Sequence, residues 1–145
     1  MKIIPYEPWH YEYLSGRTFT TLRIGAEAAK IYAMAYYLRG AAVSIKKGDK
    51  IVGCAGVFEL WDGVGEAWSM FTDELRKCPF FLHRKAIKVL DDIITSRKYH
   101  RVQSIVLSTD PAARKWIERL GFTMECAMEK FGSDQSEHFM YKRIQ

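Results

Sequence analysis

Asp110-Pro111-Ala112-Ala113-Arg114-Lys115-Trp116-Ile117-Glu118-Arg119-Leu120-Gly121-Phe122 reads as a helix with both of its ends marked. Asp110 is an N-cap residue whose carboxylate can accept a first-turn N–H. Pro111 falls at the first helical position, where its missing N–H has no intrahelical partner in any case. Gly121 follows Leu120 as a residue free to take the left-handed conformation that closes a helix, and Phe122 opens a new apolar segment. Just upstream, residues 102–107 form a short apolar run of the buried-strand type. The stretch is therefore the helix of a strand–helix–strand unit.

Working outward toward the N-terminus, Pro79 marks the start of another helix, with Ala86, Ile87, Leu90, Ile93 and Ile94 as its apolar stripe. Before it lie three strand-like segments, residues 41–45, 51–60 and 66–71, separated by the turns Lys47-Gly48-Asp49-Lys50 and Asp62-Gly63, which argue for an antiparallel meander. Gly53 and Gly56 in the middle strand mark a bulge or a close backbone approach. Residues 21–38 carry apolar side chains at helical spacing (Ala28, Ile31, Tyr32, Ala35, Leu38), and Gly40 is placed to end that helix. Residues 7–14 read as a short helix after Pro5, and residues 2–6 as an edge strand. Downstream of the opening stretch, residues 122–131 and 137–144 are two more strands joined by the Gly132-Ser133-Asp134-Gln135 turn. The order is β-α-α-β-β-β-α-β-α-β-β, a mixed sheet with helices on its faces, α/β or α+β.

The chain has 145 residues, with no repeat, low-complexity tract or linker, and is expected to form a single domain over 1–145. Its hydrophobic fraction of 48% and charged fraction of 27% are those of an ordinary globular protein. No apolar run approaches the ~20 residues of a membrane span, and the N-terminus does not read as a signal peptide. The three cysteines, Cys54, Cys78 and Cys126, have neither metal-ligand nor redox spacing, which fits a cytoplasmic setting. A net charge of +5 favours an anionic partner, as nucleic acid, membrane or phosphate-rich cofactor alike would be. The four histidines show no zinc spacing, and no nucleophile-elbow, P-loop or Rossmann glycine pattern is present. Zinc chemistry, serine hydrolysis and nucleotide hydrolysis are unsupported.

The element order, together with residues 110–122, resembles the GCN5-related N-acetyltransferase (GNAT) superfamily. A narrower resemblance, through Thr72-Asp73-Glu74-Leu75-Arg76 and the basic helix after it, is to the GNAT-like internal virion proteins of bacteriophages. The resemblance implies acetyl-CoA as cosubstrate, with its pantetheine arm beside the helix of residues 110–120 and along the strand end at Ser69, Met70, Phe71 and Thr72. It implies a pyrophosphate loop at Leu75-Arg76-Lys77-Cys78-Pro79-Phe80-Phe81. That loop holds no glycine, Pro79 removes one N–H donor, and Phe80 and Phe81 stand where the family keeps small residues. The cradle is degenerate. Arg76, Lys77, Arg84 and Lys85 either compensate with side-chain charge or form an ordinary solvated face.

Amine acetylation needs a base for the amine and an acid for the departing thiolate. The family often places a tyrosine acid where this chain has Ile117, which cannot donate, and neighbouring Trp116 is no acid. Glu66 and Glu59 are the candidate bases, or else surface carboxylates beside the Asp62-Gly63 turn. Asp110 stands near a family cofactor contact as well as at a helix cap, and Ser108 can donate to the arm or end a strand. Tyr32, Tyr36 and Tyr37 either line an acceptor pocket or belong to the core. The leading expectation is an acetyl-CoA-dependent N-acetyltransferase for an unknown small-molecule or protein amine. The alternative is a weak or inactive GNAT-like phage structural or interaction protein, with a homodimer mate or virion partners. Nucleic-acid binding through Arg84, Lys85, Lys88, Arg97, Lys98, His100 and Arg101 ranks last, because no aromatic stacking platform accompanies those charges.

Overall fold

The computed structural model describes residues 1–17 and 25–145. The strands are β1 (Lys2–Pro5), β2 (Gly40–Lys47), β3 (Lys50–Trp61), β4 (Val64–Phe71), β5 (Arg101–Leu107), β6 (Thr123–Met128) and β7 (His138–Ile144). The helices are α1 (Pro8–Ser15), α2 (Ala26–Leu38), α3 (Asp73–Arg76), α4 (Pro79–Arg97) and α5 (Pro111–Arg119). All seven strands form one sheet in the order β1-β2-β3-β4-β5-β7-β6. Every neighbouring pair is antiparallel except β4 and β5, which run parallel. The mixed α/β architecture read from the sequence is the architecture found.

Local chemistry explains most elements. Asp110 Oδ1 accepts the Ala113 N–H at 3.0 Å, and Gly121 closes α5 at φ +93°. Gly56 is a close-approach glycine, since a Cβ there would stand 2.3 Å from the Ala41 carbonyl oxygen. A bulge also falls on β3, where Val52 is the extra residue between the pairs Ile45–Gly53 and Lys46–Ile51. Two elements differ from the sequence reading, and one further boundary is not tested. Of the helix expected over 21–38, residues 21–24 lie outside the described residues. The short α3 was not expected, although Thr72 caps it by accepting from the Leu75 N–H, with Asp73 and Glu74 in its first turn. The strand expected over 122–131 ends at Met128, because the chain then turns through left-handed Lys130 and Gln135.

The sheet is covered on both faces. α1 and α2 pack on one face over Tyr6, Tyr11, Leu14, Ala29, Ala33 and Cys54. α4 and α5 pack on the other over Val57, Leu90, Ile94, Val102, Ile117 and Tyr141. A third cluster, Ile45, Val52, Phe71, Leu75 and Leu82, fills the end where α3 meets α4. Among the described residues no helix is long and apolar enough to cross a membrane.

Candidate functional site

The parallel β4–β5 ladder is short. It joins Val64 to Arg101, Gly65 to Val102 and Glu66 to Gln103, and then stops. Each strand keeps its other partner: β4 stays with β3 as far as Phe71, and β5 with β7 along its whole length. Twist then carries the two strands apart. Where they part, the Ser104 hydroxyl donates to the Ala67 carbonyl oxygen at 3.1 Å. Beyond that bond the facing backbone edges of β4 and β5 are unpaired with one another, a fork in the middle of the sheet.

A cavity of about 510 Å³ passes through this fork and is lined from both faces of the sheet. That volume suits a small-molecule site. On the α4/α5 face its walls include Phe71, Leu82, Ala86 and Trp116, with Arg76, Lys85 and Asp110 also lining it. On the α1/α2 face they include Tyr11, Tyr32, Tyr36, Glu66, Trp68 and Phe131.

On the α4/α5 side, α4 opens with Pro79 at its start and no side-chain cap. First-turn N–H groups of a helix lack intrahelical partners, so those of Phe80 and Phe81 are available there. Phe80 does not crowd this turn, since its ring is 87% exposed. Phe81 is half-buried against the third cluster and lies under the Lys85 ammonium at 5.8 Å. Trp116 stands edge-on to Phe71 at 5.7 Å, and Ile117 is buried in the cavity wall, an apolar group where a proton donor was sought.

The α1/α2 side is aromatic. Tyr36 and Trp68 are stacked at 4.1 Å with an interplanar angle of 11°. Tyr11 stands across both, at 70° to Tyr36 and 71° to Trp68. Among the described residues the buried Trp68 Nε1 has no hydrogen-bond partner, and the rings of Tyr6 and Tyr11 stand nearly perpendicular to the indole. Burial pushes the Tyr11 phenol up to about 12 and Tyr36 higher still, so both keep their protons at neutral pH. Glu66 precedes Trp68 by two residues on the same face of β4. Its Oε1 accepts from Gln103 Nε2 at 3.4 Å.

The candidates read from the sequence separate in this geometry. Glu66, Met70, Phe71, Arg76, Asp110 and Trp116 line the cavity. Glu59 does not: it lies on the opposite face of the sheet from Glu66, where it accepts from the Tyr99 hydroxyl at 3.3 Å. Thr72 caps α3 and donates to the Val52 carbonyl, and Cys78 is the N-cap residue of α4. Lys77 and Arg84 are exposed outside the cavity wall, and Ser108 is tied through its backbone N–H to Glu137. Tyr32 and Tyr36 line the cavity, whereas Tyr37 is exposed elsewhere on α2. Sequence reasoning passed over Tyr11, Trp68 and Ser104. Trp68 carried a signal, its period-two spacing from Glu66; Tyr11 and Ser104 carried none.

No family model matches this sequence, and no curated protein does either. Solved structures do match. smu.2055 from Streptococcus mutans UA159 superposes with a TM-score of 0.80 at 18% identity, over 99% of this chain and 99% of that one. The ribosomal-protein-S18-alanine N-acetyltransferase from Escherichia coli gives 0.79 at 14%, over 99% and 92%. A spermidine N-acetyltransferase chimera from Vibrio cholerae and hSSAT gives 0.77 at 11%, over 99% and 96%. The fold is that of the GNAT acyltransferases. These neighbours do not extend to the bacteriophage branch, and identities this low tie the chain to the fold alone.

Proposed function

We propose that this protein is an N-acyltransferase of the GNAT type, taking acetyl-CoA from the α4/α5 side of the fork and an amine from the α1/α2 side. The observation that carries the reading is the cavity through the β4–β5 fork, which opens one space to both faces of the sheet. Two reactants entering from opposite faces meet there without competing for one mouth, and holding them so replaces a bimolecular encounter.

The residues present fit a CoA ester. The open β4 edge beyond Glu66 offers main-chain groups to the pantetheine amides, a contact that needs no particular side chain. The uncapped α4 N-terminus, with Arg76 and Lys85 in the cavity wall, suits phosphate charge despite the loop's lack of glycine. The bound ester supplies an activated acyl group. The chain does the rest: Trp116 and Phe71 exclude water, and Glu66 takes a proton from the ammonium of the amine. With the ester bound, the neutral amine nitrogen would bond the acyl carbon as the carbon–sulfur bond broke, the nitrogen's second proton would pass to solvent water, and solvent would protonate the departing thiolate.

Acetyl-CoA is expected to raise the melting temperature as ligand linkage requires, by about 2.7 kcal/mol of stability at a hundredfold excess over Kd. An unchanged melting temperature at millimolar acetyl-CoA would sink the reading.

One observation favours a second reading, a partner-binding protein on the same scaffold. The outer side of α2 is apolar, with Ile31 and Leu38 each 70% exposed and Met34 and Tyr37 beside them. A homodimer mate or a virion protein covering that stripe is the proposal, and sedimentation showing a strict monomer that co-purifies with nothing counts against it.

A further inference from the structure

The cavity is electrically divided. Among the described residues its charged lining on the α4/α5 side comprises Arg76, Lys85 and Asp110, and the Asp110 carboxylate accepts the Ala113 N–H at the start of α5. On the α1/α2 side the one charged lining residue among the described residues is Glu66. Around it stand aromatic rings, with Tyr11 set across the Tyr36–Trp68 stack so that the three form a corner. Tyr32, 45% exposed, continues the aromatic wall outward and tilts toward Tyr36 at 6.1 Å. A carboxylate beside aromatic rings is an arrangement that selects a cation, by charge and by the negative faces of the rings.

Resting on the acyltransferase reading for its chemical outcome, we propose that the acceptor is an alkylammonium, a primary amine that is charged in solution and carried on a slender aliphatic stem. Its nitrogen sits at Glu66 and its stem lies against the corner of Tyr11, Tyr36 and Trp68. Other amine classes fit this wall poorly. An anionic amine meets Glu66 with like charge. An amino sugar brings several hydroxyls to a wall that is mostly aromatic. Its polar groups among the described residues are the Glu66 carboxylate, the phenols, the Ser15 hydroxyl and the Trp68 indole N–H, and each hydroxyl left unmatched in a buried site is costly. An arylamine is neutral at pH 7 and gains nothing from Glu66. The tyrosines hold their protons, so they present neutral rings rather than competing negative charges.

The test is calorimetric titration with cadaverine, aniline and glucosamine, each with and without CoA, alongside a separate titration with acetyl-CoA. Cadaverine is expected to bind at least about tenfold more tightly than the other two. Glu66→Gln, which keeps the shape and the Gln103 contact, should weaken cadaverine by about tenfold. Tyr36→Phe, which keeps the ring, should leave it within about twofold, whereas Tyr36→Leu should weaken it by about fivefold. Melting curves of each variant identify any that fail to fold. Equal affinity for aniline or glucosamine, no binding of cadaverine, or an unchanged affinity in Glu66→Gln overturns the proposal. If cadaverine binds as expected and acetyl-CoA does not, the acyltransferase reading falls and the ammonium site stands.

Discussion

The two sides of the fork are built on different terms. The α4/α5 side offers backbone: an open strand edge, a helix start without a cap, and cations on flexible side chains. The α1/α2 side offers side chains: a stack, a crossing ring and a carboxylate, each from a different position in the sequence. Backbone recognition tolerates sequence change, since any residue supplies an N–H and a carbonyl, and so a loop without glycine can still sit at a helix start. Side-chain recognition does not tolerate it, and on the proposed reading that is where this chain's own specificity would reside.

The largest effect that would break this contrast is on the side-chain half. Trp68→Ala removes the ring that Tyr6, Tyr11 and Tyr36 all touch. It should cost about 2–3 kcal/mol of stability by denaturant titration, less than a fully buried tryptophan because Trp68 is partly exposed. A loss under about 1 kcal/mol would mean that the corner is loosely packed and cannot select a ligand by shape. On the backbone half, the double change Arg76→Ala with Lys85→Ala should weaken acetyl-CoA by about tenfold and blunt its salt dependence. An unaltered affinity would place the phosphates elsewhere.

A third measurement probes how α1 holds the aromatic half in place. His10 is buried, and its Nδ1 accepts from the Glu7 N–H at 3.1 Å. Because an N–H can only donate, Nδ1 is unprotonated, the Ser44 hydroxyl at 2.8 Å also donates to it, and the ring proton sits on Nε2. Burial pushes His10 below its ordinary value of 6.5, with Glu7 opposing the shift weakly. The unfolded chain therefore binds a proton that the folded one resists, and stability should fall as pH drops below 6.5, until the depressed folded value is reached. Ser44→Ala leaves Nδ1 bonded to Glu7 alone, and a flat stability profile between pH 7 and 5 in the parent protein would refute the assignment. The smallest effect is expected at Phe80, whose ring faces solvent: Phe80→Ala should change stability by no more than about 0.5 kcal/mol and leave acetyl-CoA affinity unchanged. A large loss of affinity would show that the Phe80 side chain itself contacts the cofactor.

How much could be read in advance follows from where the information lies. The order of elements was legible because caps, turns and apolar periods are local; Asp110, Pro111 and Gly121 announce α5 within a dozen residues. Even α3 left a signal, in Thr72 followed by two acidic residues, though a stretch read as a loop hid it. The pairing of carboxylates was not legible. Glu59 and Glu66 look equivalent in sequence, but the register sets Glu59 opposite Gly65 and Phe58 opposite Glu66, so the two glutamates fall on opposite faces of the sheet. One residue of offset sends Glu59 to Tyr99 and Glu66 to the cavity. The aromatic corner was hidden for a related reason: Tyr11, Tyr36 and Trp68 come from α1, α2 and β4, and only the tertiary fold brings them together.

The three-pair ladder between β4 and β5 has a mechanical side. It is the narrowest seam in the sheet, with strands β1 to β4 on one flank and β5 to β7 on the other, and short ladders open sooner than long ones. Amide exchange should therefore report breathing at this seam before the flanks loosen. A molecule lying along the parted edges, with one end against each face, would act as a splint across it. Occupancy of the fork would then be readable as slowed exchange at residues 64–65 and 101–103, positions outside the cavity lining that no ligand need touch.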